Sequence, residues 1–379
     1  MMNTTKGMNV NMNDYRLRNY IPLGGPATRE PFIGDESDLR VSLGFTPKWY
    51  LEKLGIDFSE KWHMDPYYRY ESLLKMKSYL NMEFPMVPSF KLEFENDFEK
   101  TCATISGVHG AMLISLIYGL DVVYFKDNWP SAHPNKVLSK EKIENLQPFD
   151  LLNNPVMIQL LEQMDTIEKK WGQIQGYINY QGVLNNALRI RGNEIFMDMY
   201  EEPEFVHHLF THIAETMINT SKLIQKRQRE SGFDVNLLSV SNCTVNMISP
   251  EMYEKFILPY DLMISKEYER FGVHTCNWNI TPYVNVLKSI NKMGYIDMGM
   301  SSDMRKVREE FPEARRAVLY SPVELEKKSI IEIERDIKRV YEELAPCDLV
   351  LADIENTTPN SRIKEIFNIV SELINTDKK

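Results

Sequence analysis

Short apolar or β-branched runs alternate along the chain with longer amphipathic stretches, a rhythm that predicts repeated strand–helix units rather than a sandwich or a helical bundle. Eight runs read as strands, at 84–90, 120–125, 174–180, 235–241, 272–276, 294–298, 316–320 and 348–353, and the later ones each lead into a polar turn and a helical pattern. Eight such units predict an α/β fold, a (β/α)8 TIM barrel with an N-terminal helical extension. In that extension residues 47–80 read as helices, with Pro47 at a helix start and Tyr70, Leu73, Leu74 and Met76 recurring near helical spacing. Residues 1–46, with Gly24, Gly25, Pro26 and Gly34, read as an irregular arm. The expected division is an arm with helices over residues 1–80 and the barrel over 81–379, with no internal repeat, low-complexity tract or linker.

Composition narrows the class. A chain of 379 residues with 43% hydrophobic content can bury one large core. Its 44 basic and 54 acidic residues give a net charge of −10 without a polybasic run, which argues against a nucleic-acid partner. The first 20 residues are polar, and no stretch approaches the ~18 apolar residues that cross a bilayer, so a soluble cytoplasmic protein without a membrane partner is expected. Four cysteines, Cys102, Cys243, Cys276 and Cys347, are too few and scattered for a disulfide framework.

In a barrel of this kind the chemistry sits where the carboxyl ends of the strands meet the following loops. The residues so placed are Asp127, Asn128 and Trp129; Gln181 and Asn185; Asn242 and Cys243; His274, Cys276, Asn277 and Trp278; Asp297 and Ser301; Tyr320 and Ser321; Asp353 and Glu355. Within His274-Thr275-Cys276-Asn277-Trp278 two metal donors stand two residues apart, and on a strand such residues point to the same side, so one ion could bind both. Cys243, Asp353 and Glu355 converge with them as further zinc ligands, against the plainer reading of a packed His-x-Cys pair. Tyr124, Phe125, Trp129, Tyr180, Trp278 and Tyr320 offer flat apolar walls, and His63 faces the mouth from the N-terminal side. Cys102 and Cys347 are expected to be buried; His207, His208 and His212 belong to a helix after Pro203.

Several stretches together resemble the uroporphyrinogen decarboxylase superfamily, (β/α)8 barrels that include zinc-dependent, corrinoid-linked methyltransferases. They are the segment from Glu60-Lys61-Trp62-His63-Met64-Asp65-Pro66 to Arg69, Gly176-Tyr177-Ile178-Asn179-Tyr180-Gln181-Gly182 with Asn185, Ser249-Pro250-Glu251 with the later Pro259-Tyr260, and His274-Thr275-Cys276. The resemblance implies that His274 and Cys276 hold zinc. The methyltransferases add a cysteine after the last strand, where this chain reads Leu351-Ala352-Asp353-Ile354-Glu355, so an acidic residue there or Cys243 must serve instead. An oxygen ligand would suit a substrate bound through oxygen. The implied function is that of an O-demethylase component, moving methyl from a small methoxylated, by preference aromatic, substrate to the cobalt of a separate corrinoid protein. Asp127, Gln181 and Asn185 would orient that substrate, and Trp129, Tyr180, Trp278 and His63 would bind it. The alternatives are methyl transfer from a corrinoid protein to a thiol or pterin, a non-enzymatic binding barrel, and the decarboxylase itself. The last is disfavoured because no arginine occurs between Arg69 and Arg189, where partners for a poly-carboxylate are needed. A homodimer stays open.

Overall fold

The computed structural model describes residues 21–25, 38–86, 102–133 and 136–376. Its strands are β1 (Leu39–Phe45), β2 (Val122–Val123), β3 (Ser131–Ala132), β4 (Tyr180–Gln181), β5 (Leu237–Ser241), β6 (Arg270–His274), β7 (Met293–Met298), β8 (Arg315–Tyr320) and β9 (Cys347–Ile354). Seven are parallel neighbours in the order β1-β9-β8-β7-β6-β5-β4, while β2 and β3 pair antiparallel by themselves. Between β4 and β1, where an eighth barrel strand is due, Thr104 bridges Gln175 in parallel and the Ile105 N–H donates to the Gln175 carbonyl at 2.9 Å. The architecture is the expected (β/α)8 barrel.

Five predicted strands fall on β5 to β9. Three do not map as expected. Of 84–90, residues 87–90 lie outside the described residues, and Phe84 caps the helix Pro66–Glu83. Residues 120–125 contribute only to the β2–β3 pair, and 174–180 keeps only the Gln175 bridge before β4. The first barrel strand is β1, inside the stretch read as an irregular arm. It pairs with β9 from Leu39↔Cys347 to Leu43↔Leu351, so a boundary at residue 80 does not separate arm from barrel. All seven β1 residues are buried, including Arg40 and Ser42, although Leu39-Arg40-Val41-Ser42-Leu43-Gly44-Phe45 alternates apolar with polar or small positions, the pattern of a strand that went unread within the arm. The predicted helices over 47–80 are present as Pro47–Leu54, Glu60–Met64 and Pro66–Glu83, an excursion between the first and second strand positions.

Local chemistry fixes these helices. Thr46 Oγ1 caps the first by accepting from the Trp49 N–H at 3.1 Å, and Gly55 ends it at φ 63. Asp65 caps the third ahead of Pro66. From that helix the buried Arg69 donates to the carbonyls of Thr104 (3.0 Å) and Trp62 (3.1 Å) and to Gln163 Oε1 (3.0 Å), tying the excursion to the second strand position. Along β7 to β9, Tyr295, Ala317, Leu319, Val350 and Ala352 form one apolar cluster, whereas Ile296, Val318, Leu349 and Leu351 join the main core. That two-residue alternation separates barrel interior from helical layer. Among the described residues no helix is long and apolar enough to cross a membrane.

Candidate metal centre and cavity

β6 ends at His274, and the strand alternation expected to carry Cys276 to the same side ends with it. The Thr275 N–H donates to Asp297 Oδ1 and its hydroxyl to the Asp297 carbonyl, each at 2.6 Å. The chain then turns at Cys276, which adopts φ 61, a left-handed conformation uncommon for a side-chain-bearing residue. This turn lies against the end of β7 only because residue 299 is glycine: a Cβ there would sit 1.7 Å from the Asn277 carbonyl oxygen. The turn, rather than the strand, returns Cys276 Sγ to 3.2 Å from His274 Nε2.

Cys243 arrives from the loop after β5. The Asn242 N–H donates to the His274 carbonyl at 2.7 Å, and its side-chain amide donates to the buried Asp261 at 3.1 Å. Asn185 Oδ1 accepts from the Thr244 N–H at 3.1 Å, while Asn185 Nδ2 donates to Gln181 Oε1 at 2.6 Å. So held, Cys243 Sγ accepts from Cys276 Sγ at 2.8 Å, and single donor atoms of Cys243, His274 and Cys276 all lie within 4.8 Å of one another.

Asp297 is the anchor behind them. Fully buried, its Oδ2 accepts from His274 Nδ1 at 2.5 Å and from the Tyr295 hydroxyl at 2.8 Å. Burial opposes a charged His274, yet the Asp297 carboxylate, with help from Cys243, carries its pKa up to about 10. The Cys276 thiol hydrogen bond brings Cys243 down to about 5 against the opposition of burial, and donating that bond pushes Cys276 up. Two sulfurs and an imidazole nitrogen, the imidazole backed by a carboxylate, are a donor set that fits zinc.

Beside this cluster lies a cavity of about 580 Å³, within the range of small-molecule sites, lined by His274, Cys276, Asp353, Trp129, Tyr177 and Arg189 among others. Of the predicted metal residues, Cys243, His274 and Cys276 come together. Asp353 reaches the cavity at φ 49, but its carboxylate is not among the clustered donor atoms, and Glu355 lies outside the lining. Of the aromatic walls expected from the sequence, Trp129 and Tyr320 line the cavity. Tyr180 faces the opposite way, against Ile224 and Gln228 of the long helix Pro203–Glu230, because it alternates with the inward Asn179 and Gln181. Trp278 packs edge-on against Tyr283 at 5.2 Å, and His63 is buried between Trp62 and Tyr124. Asp127 is exposed, and Gln181 and Asn185 support the Cys243 loop. Cys347 starts β9 at the far end of the barrel and is buried, as is Cys102. Two groups of the site were not assigned from the sequence: Asp297, placed at a strand end but given no role, and Arg189, whose position on a helix carried no signal of a cavity.

A parallel barrel whose strand ends gather two thiols, an imidazole and a small-molecule cavity defines an enzyme-like scaffold. The uroporphyrinogen decarboxylase (URO-D) family profile matches residues 109–351, and the chain belongs to that family. A methyltransferase from Methanosarcina mazei has the same fold, with a TM-score of 0.61 at 14% sequence identity over 93% of this chain and 94% of that one. A B12-independent methionine synthase from Shewanella sp. W3-18-1 aligns at a TM-score of 0.39 and 10% identity, over 85% of this chain and 96% of that one. No curated protein matches the chain.

Proposed function

We propose that this protein is a zinc-dependent methyltransferase that moves a methyl group between a small molecule in the barrel cavity and the cobalt of a corrinoid carried by a separate protein. The observation that carries the reading is the convergence of Cys243 with His274 and Cys276, the latter two at the cavity wall, on a fold shared with a methyltransferase. Zinc held by these three would supply Lewis acidity to a bound oxygen or sulfur. The chain's own contribution is positional. Asp297 keeps a hydrogen on His274 Nδ1 and so leaves Nε2 free as a ligand, and the Asn185 and Asp261 contacts fix the Cys243 loop.

On the first reading the small molecule is a methoxylated donor, bound beside Trp129 and Tyr177. A second reading, methyl transfer from the corrinoid to a thiol, is favoured by the donor set. The ether preference assumed an acidic third ligand, and Cys243 in that place makes the set softer. A single arginine at the cavity, with no lysine among the described lining residues, argues against the many-carboxylate substrate of the family's namesake.

The test is to incubate zinc-loaded protein with methoxylated aromatics, methylamines or methylthiols and a reduced corrinoid protein, following cobalt methylation optically. The reverse arm supplies methylated corrinoid with thiols or a pterin. Cobalt should change methylation state in one arm, and the change should disappear with Cys276→Ala. Silence in both arms would refute the proposal.

A further inference from the structure

We propose that Arg189 binds a carboxylate of the small substrate, so that the cavity selects an acidic molecule over its neutral counterpart. This rests on the reading that the cavity beside Cys276 is the substrate site. Arg189 stands near the end of the helix Val183–Arg191 and lines the same cavity as His274 and Cys276. Its Nη1 donates to the Ala111 carbonyl at 2.8 Å, which fixes the guanidinium while its other N–H groups have no partner among the described residues.

The contrast two residues on is informative. Arg191, on the same helix, is committed to Asp198 at 2.7 Å and to Glu194. Arg189 makes no ion pair among the described residues. Asp353, which also lines the cavity, has its pKa raised by burial and by the like charge of Glu355, opposed by His274 and not by Arg189. Burial draws the Arg189 pKa down to about 10, opposed by Cys243, so it remains a cation at neutral pH. A guanidinium held at a cavity wall without a protein carboxylate is a costly arrangement that a ligand carboxylate relieves, and its planar fork matches that group.

The experiment is calorimetric binding to zinc-loaded protein without corrinoid, using two matched pairs: 3-methoxybenzoate against 3-methoxybenzyl alcohol, and 3-mercaptopropionate against 3-mercaptopropan-1-ol. In at least one pair the acid should bind about tenfold to a hundredfold more tightly than its neutral partner. Arg189→Gln should abolish that preference, weakening the acid about tenfold or more relative to its neutral partner. Equal binding within both pairs, no binding by any of the four, or a preference that survives Arg189→Gln would overturn the proposal. If Arg189→Gln does not fold for want of the Ala111 bond, Arg189→Lys is read instead: a preference cut several-fold supports it, and an unchanged one overturns it. Because no methyl transfer is involved, the two proposals fail separately. A charge preference without cobalt methylation sinks only the transferase reading, and methylation without a charge preference sinks only this one.

Discussion

Asp297→Asn isolates what the buried carboxylate does for the proposed metal centre. In the native protein Oδ1 accepts from the Thr275 N–H at 2.6 Å, and Oδ2 accepts from His274 Nδ1 at 2.5 Å and the Tyr295 hydroxyl at 2.8 Å. An asparagine has one acceptor oxygen for these two positions. With its NH2 toward His274, the imidazole must accept at Nδ1 and carry its hydrogen on Nε2, the nitrogen that faces Cys276, so zinc loses a ligand. With its NH2 toward Thr275, the buried Thr275 N–H meets a donor and goes unsatisfied, at a cost of about 1–3 kcal/mol in folding stability. Removing the partner of a metal-binding histidine typically costs ~10- to 100-fold in affinity, equivalent to ~1.4–2.7 kcal/mol. Zinc competition against a chromogenic chelator, paired with chemical denaturation of the metal-free protein, measures both outcomes. Zinc affinity within twofold of wild type together with unchanged stability would refute the role given to Asp297.

Cys243→Ala is expected to lose zinc as fully as Cys276→Ala, whereas Glu355→Gln and Cys347→Ser retain it in metal analysis of purified protein; zinc retained by Cys243→Ala would return the third ligand to Asp353 or Glu355. At pH 8.5 zinc uptake should release about two protons, from the charged His274 and the thiol of Cys276, where unperturbed groups would release about one, a difference that calorimetry in buffers of different ionisation enthalpy resolves. Since the folded pKa of His274 lies above its ordinary value near 6.5, the stability from its pairing with Asp297 is fully present below that value. Metal-free protein should therefore lose stability as pH rises through about 10, in contrast to a Cys276→Ala, Asp297→Asn double variant.

The sequence by itself determined the barrel class, the strands β5 to β9 and the placement of His274 and Cys276 together near a strand end. These strands are buried on both faces and bounded by polar turns, so the apolar run alone marks them. The helices ahead of the barrel were legible for a similarly local reason, in Pro47 and Pro66 at their first turns. Only the tertiary structure decided the rest. The alternation in β1 is a local strand signal, but that this strand docks on β9 and buries even Arg40 and Ser42 is decided by the sheet. Which of Tyr180 and Gln181 faces inward is a matter of parity in a two-residue strand, set by its pairing with β5. Cys243, Asp297 and Arg189 come from separate strand–helix units and meet Cys276 or its cavity only when the sheet closes, the two hydrogen-bonded cysteines standing 33 positions apart. A short-range periodicity records which side of an element is buried, whereas a metal centre depends on where the ends of several elements meet.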